Sequence, residues 1–218
     1  MNIQEIYKKY DIFTALQLHQ LRVAGVAQQL CESLDCDVQM NVVVAVCLMH
    51  DMGNVLKLDF SKFPEFFEPE GVDYWKSVKE KYIQRYGTDE HHATAMIVHE
   101  IIGSNAYDIY LNSYGHTHAV ALREKSSIEE KICAYADMRV APRGVVSMLE
   151  RYSEMCARYK NHPTVHLGTD EELRIQWEAL CDIESELFAH ARITPEQITE
   201  SSVSQYWDSL KKTNITYD

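Results

Sequence analysis

Apolar positions recur every three or four residues along most of the chain, the period of helices that bury one face. Near the N-terminus Leu16, Val23, Val26, Ala27 and Leu30 form one such stripe. His19 falls inside it, three after Leu16 and four before Val23, so its side chain is expected to point inward. Leu173, Ile175, Trp177, Leu180, Ile183, Leu187 and Phe188 form a second stripe, read as core packing. Helix starts are marked by Ser127 with Glu130 and by Thr169 with Glu172, the spacing at which cap and side chain exchange hydrogen bonds; these helices are expected to reach about Arg139 and about Ala189. Thr194-Pro195-Glu196-Gln197, with proline at the favoured first position, is expected to open the last helix. Thr88 is expected to cap a helix ended by Gly103, and a Tyr/Trp-rich helix is expected from about Val72 to Tyr86. Residues 60–71 carry two of the five prolines and keep no period, so they read as a loop of a length that often borders a site. The run Val42-Val43-Val44-Ala45-Val46 resists this helical pattern, because an apolar β-branched segment reads locally as a buried strand.

A chain of 218 residues is enough for one domain with a hydrophobic core, and two full domains are not expected. Eight glycines and five prolines are too few for a turn-rich β-sandwich or barrel, so the expectation is an all-α fold in a single domain over 1–218. Acidic residues number 33 against 21 basic, and the net charge of −12 repels a phosphate polymer. That argues against a general binder of nucleic acid or of an anionic membrane, and for a small substrate or a protein partner. Six cysteines include no CxxC pair, and no basic segment followed by an apolar core opens the chain, so a reducing, cytoplasmic location is expected. The longest apolar run, Val42 to Met49, has eight residues, where a bilayer span needs ~20.

Seven of the ten histidines lie between residues 19 and 118, spread among expected helices. A metal centre in a helical bundle needs imidazoles and carboxylates projected inward from several helices, with positions left open for water and substrate. The candidates are His19, the His50-Asp51 pair, His91 or His92, His116 or His118, and Asp137. Taken singly, an inward histidine is more often hydrogen-bonded in a core than bound to metal, and Asp137 can pair with Arg139 or Arg143. The case for metal is the ensemble, because His19 and Asp137 sit in apolar surroundings where an unpaired polar group is expensive. If adjacent His50 and Asp51 share an ion, they must lie on one side of the backbone. A strand sends neighbours to opposite faces, whereas a helix end separates them by only ~100°. Residues 38–52 are therefore read as a central buried helix ended by Gly53. His99, His162, His166 and His190 lack such context and are read as surface or packing residues.

The order of these residues resembles that of the HD-domain superfamily of metal-dependent phosphohydrolases, whose pattern is H…HD…D on an all-α core. His19 corresponds to the first histidine, His50-Asp51 in LMHDMGN to the doublet and Asp137 in KICAYADMRVAP to the final aspartate, separated by 31 and 86 residues. The resemblance covers about 14–160 and implies a helical bundle, with the expected helices of about 168–212 packed on it as an addition. It also implies a water-activating divalent ion, with Asp137 as a ligand or as the group that orients the water. Nitrogen and oxygen donors suit Mn, Fe, Ni or Co, with Mg possible, as one ion or two. Some members hold a second metal through two further histidines, and His91 in DEHHATAMI with His116 in YGHTHAV stand where those would be. His92 and His118 are equally available by count. For His91 there is a positional argument: Ala95 and Val98 follow it on one face, whereas His92 is followed by Met96 and His99.

Between 123 and 160 the chain holds eight basic and six acidic residues, a basic stretch in an acidic protein, where a phosphate can sit. Arg139 and Arg143 are the expected forks for its oxygens, and Lys57 is a third candidate. A cation near a helix C-terminus is also favoured by the helix dipole alone. The expected substrate is a nucleotide or another small phosphate ester. Two alternatives share the ligands: the di-iron oxygenases of the same superfamily, and a non-catalytic nucleotide sensor.

Overall fold

The computed structural model describes residues 1–61, 64–114, 119–160 and 168–215. Through them run α1 (Ile3–Lys9), α2 (Thr14–Ser33), α3 (Met40–Met49), α4 (Val72–Tyr86), α5 (Glu90–Ile102), α6 (Ser104–Tyr114), α7 (Ala119–Lys125) and α8 (Ile128–Asp137). A two-stranded antiparallel hairpin follows, β1 (Val140–Ala141) and β2 (Gly144–Val145), and then α9 (Met148–Tyr159), α10 (Asp170–Ala189), α11 (Glu200–Ser204) and α12 (Trp207–Leu210). The fold is all-α apart from that short hairpin. Among the described residues no helix is long and apolar enough to cross a membrane.

Helix α3 is the centre of the bundle. Every side chain from Val43 to Met49 is buried, and a helix apolar on all sides has to be enclosed by others. It packs on α2, α8, α6 and α5. Each of its Val and Leu side chains, once buried, contributes roughly 1.5–3 kcal/mol, far more than the few tenths by which β-branched residues disfavour a helix. Burial therefore overrides the strand-like composition. The helix is shorter than the 38–52 expected: it ends at Met49, and His50 is its C-cap. Hydrogen bonds from Met52 N to Met49 O (3.3 Å), Asn54 N to Asp51 O (2.9 Å) and Leu56 N to Gly53 O (3.0 Å) carry the chain out in successive tight turns. Gly53 is not a left-handed terminator, since its φ is −87°. It is needed for close approach: a Cβ there would collide with the Glu90 carbonyl oxygen and sit 2.9 Å from the Cβ of Ala93.

Local signals place most of the other helices. Ser127 and Thr169 make the expected reciprocal caps with Glu130 and Glu172. Helix α5 is capped by Asp89, whose carboxylate accepts from the His92 N–H, rather than by Thr88, and it ends at Gly103 in the left-handed region. The cap at Thr194 opens only a 3-10 turn over Pro195–Gln197, after which Thr199 starts the short α11. Helix α10 lies on α7 and α8, while α11 and α12 lie on α2. Within α2, Gly25 lets α11 approach, for a Cβ there would stand 2.6 Å from Val203 Cγ1. Arg22 pairs with Glu200, with Nε to Oε1 at 2.8 Å, and Glu200 Oε2 also accepts the Val145 N–H at 2.8 Å.

Candidate metal centre

Three central helices deliver the polar cluster. His19 projects from α2, His50 from the C-cap of α3, Asp51 from the turn after it, and Asp137 from the last position of α8. Donor atoms of His19, His50 and Asp51 all lie within 4.8 Å of one another. His19 Nε2 stands 3.6 Å from Asp51 Oδ2 and 3.2 Å from Asp137 Oδ1. His50 Nε2 stands 3.5 Å and 3.6 Å from the same two atoms. The polar groups expected to meet from distant parts of the chain are thus in one place.

His50 has the most constrained ring. Its Nδ1–H donates to the Cys47 carbonyl at 2.8 Å, which fixes the tautomer and turns the Nε2 lone pair toward the two carboxylates. Tyr114 stacks on the opposite face, with centroids 4.7 Å apart, and its hydroxyl donates to Cys133 O at 2.7 Å. The side chain is 1% exposed, and its Nε2 has no hydrogen-bond partner among the described residues. A buried lone pair facing anions is unfavourable unless a cation comes between them, either a proton or a metal ion. Without a metal the proton takes that role. Burial opposes the charge on His50, but the fields of Asp51 and Asp137 outweigh it and raise the imidazole pKa to about 9. Burial pushes the Asp137 carboxyl upward, yet the His19 and His50 imidazoles beside it hold it well below the usual carboxylate range. Two neutral imidazoles and two carboxylates carry a charge that a divalent ion neutralises, and donors of this kind suit Mn, Fe, Co or Ni.

The cluster lies in the wall of an open cleft of about 700 Å³. Phe13, Leu16, Leu58, Phe66, Phe67 and Val140 are among its apolar residues, so the segment expected as a loop at 60–71, which holds a 3-10 turn over Pro64–Phe67, borders the site. Lys57 and His91 line it as well, and the Nζ of one and the Nε2 of the other each lie 3.8 Å from Glu90 Oε1. Ala95 and Val98 are buried and His91 is half-buried at the cleft, while His92, Met96 and His99 are exposed. The Gly53 N–H donates to Thr94 Oγ1 at 2.8 Å, fastening the turn after Asp51 to α5 and so bringing His91 to the cleft. His116 and its alternative His118 lie outside the described residues. Another cavity, of about 760 Å³, is lined by Asn41, Asn105, Ser209 and Asn214 among others. Among the described residues no titratable side chain lines it, so chemistry rather than size selects the site.

Two expected phosphate forks are placed elsewhere. Arg139 is 3% exposed and its guanidinium is spent on the fold: Nε donates to Val146 O at 2.6 Å, one Nη to the Tyr135 hydroxyl at 2.6 Å, and the other to Pro195 O at 3.1 Å and Ile198 O at 2.9 Å. Arg143, in the tight turn of the hairpin, has a side chain 76% exposed that pairs with Glu65 at 3.2 Å, and it does not line the cleft. Among the described residues the arginines that line it are Arg151 and Arg158 of α9, which sequence proximity to Asp137 did not single out. Their signal was available, because a spacing of seven puts both on one helix face within the basic stretch 123–160. Glu90 was missed too, being one of many acidic residues until α5 brings it beside Lys57.

The family described as the HD domain matches residues 17–141, which include all four clustered residues and end before α9. No curated protein and no solved structure matches the chain.

Proposed function

The chain belongs to the HD-domain family, and from that premise we propose that it hydrolyses a nucleotide or another small phosphate ester, using a divalent transition metal held by His19, His50, Asp51 and Asp137. The observation that carries this reading is the buried Nε2 of His50, aimed at two carboxylates with no hydrogen-bond partner among the described residues. When bound, such an ion lowers the pKa of a water and polarises a phosphoryl oxygen.

The chain's own residues do the rest. The Cys47 carbonyl keeps His50 in the tautomer that offers Nε2, and Tyr114 holds the ring plane. Asp51 supplies charge, and Asp137 takes up a proton from the attacking water. Lys57 offers a cation to the phosphate from the cleft wall, in competition with Glu90. The phenylalanines exclude water from one side of the cleft and give an apolar body, such as a nucleobase, a surface to rest on.

The test is elemental analysis of the protein as isolated, followed by addition of Mn, Mg, Ni or Co to metal-free protein with a panel of phosphate esters. Release of phosphate dependent on an added metal is the expected result. Metal uptake without turnover of any ester would leave a sensor, and two irons with oxygen consumption would point to the oxygenase chemistry found elsewhere in the superfamily.

A further inference from the structure

Helix α9 lies beyond the segment that matches the family, yet it forms one wall of the cleft. Its start is fixed by a reciprocal cap between Ser147 and Glu150, and Tyr152 anchors its middle to α10 by donating to Leu173 O at 2.7 Å and packing on Trp177. This places Arg151, Glu154 and Arg158 on one face. Arg151 Nη1 donates to Glu154 Oε2 at 2.7 Å, and Arg158 Nε lies 3.0 Å from Oε1 as an ion pair that leaves its N–H without an acceptor among the described residues.

Two features separate this trio from an ordinary solvated ion pair. The arginine side chains are only 12% and 26% exposed, and the Nε of Arg151 is buried with no acceptor among the described residues. A guanidinium carries five N–H donors in a plane, so two of them offer far more than one carboxylate can accept. The trio also bears a net positive charge and lines the cleft that holds His19, His50, Asp51 and Asp137. A charged donor left without an acceptor in a half-buried wall is costly, and a phosphate oxygen that accepts from it removes that cost.

We infer that Arg151 and Arg158, spaced by Glu154, are the fork that grips the phosphate oxygens of the substrate, so that the C-terminal segment adds a phosphate clamp to the contacts of the HD core. This rests on the phosphohydrolase reading for its substrate class, but the fork binds phosphate whether or not an ester is turned over.

Inorganic phosphate, titrated calorimetrically into metal-free and Mn-loaded protein, is the probe. Arg151→Gln and Arg158→Gln are each expected to weaken phosphate binding on the order of 10- to 100-fold in both forms, with metal content unchanged. Glu154→Gln keeps both guanidiniums and removes the competing charge, and is expected to tighten binding about threefold or more. Should an arginine variant fail to fold, this one carries the test. Affinities within twofold of the unaltered protein for the arginine variants, or no tightening with Glu154→Gln, overturn the fork. Ester hydrolysis with an unchanged KM in the arginine variants would sink the fork and leave the phosphohydrolase standing. Arginine-dependent phosphate binding without turnover of any ester would do the reverse.

Discussion

Asp137 Oδ1 lies 3.2 Å from the Nε2 of His19, joining the first and last members of the polar cluster across the junction of α2 and α8. The two imidazoles keep that carboxylate ionised, so its charge is available both to balance an ion and to take up a proton. Asp137→Asn preserves shape and removes the charge. Turnover is expected to fall roughly 10²- to 10⁴-fold at saturating metal, while part of the metal is retained. Steady-state kinetics with metal analysis checks this, and near-normal turnover would assign Asp137 to structure alone.

Proton and metal compete for His50 Nε2. In metal-free protein the imidazole titrates near 9 instead of 6.5, so the stability its charge contributes is fully present below 6.5 and is lost as pH rises through about 9. Metal affinity has the opposite slope: it is expected to rise over the same interval and then level off. Calorimetric titration at pH 7 in two buffers of different protonation enthalpy should show release of about one proton from this ring. Equal heats in the two buffers would remove His50 from the ligand set.

A second ion requires a donor beyond the central cluster, and His91 is a histidine on the cleft wall whereas His92 faces away. His91→Ala is expected to lower the metal content from about two ions per chain to about one, with His92→Ala unchanged. Mass spectrometry of the metals gives the count. A single ion in the unaltered protein, kept by His91→Ala, would establish a mononuclear site.

Glycine to alanine inside a helix ordinarily stabilises by roughly 0.5–1 kcal/mol. At Gly25 the sign should reverse, because the added methyl would stand 2.6 Å from Val203 Cγ1 and force α11 off α2. Gly25→Ala is expected to cost about 1–3 kcal/mol in denaturant unfolding. Val203→Ala in the same chain should return part of that loss, which a helix-propensity effect alone would not do.

Legibility followed the range of the interactions. Helix α4 occupies the expected Val72–Tyr86, and the caps at Ser127 and Thr169 are those anticipated, since each depends on residues within one or two turns. His19 and His50-Asp51 could be grouped because an inward stripe and an adjacent pair constrain direction even before the fold is known. Arg139 was misread because its acceptors, the carbonyls of Val146, Pro195 and Ile198, are brought to it only by the packed C-terminal segment. The end of α3 was misplaced for a related reason. Gly53 looks like a helix terminator, while its actual constraint is the backbone of Glu90 on another helix. The expected final helix broke into a 3-10 turn and two short helices that take their places from contacts on α2.

Arg139 stands two residues after Asp137, and two of the four hydrogen bonds of its guanidinium run to the carbonyls of Pro195 and Ile198. A fragment cut at the boundary of the family match would lose three of the four acceptors of this guanidinium together with the backbone that encloses it. Each such hydrogen bond to a charged group contributes roughly 1.5–3 kcal/mol. Their loss would loosen the end of α8, the turn that carries the last aspartate of the cluster. A chain ended at 141 is therefore expected to load less metal than one that runs through Ile198, and equal metal content in the two would overturn this.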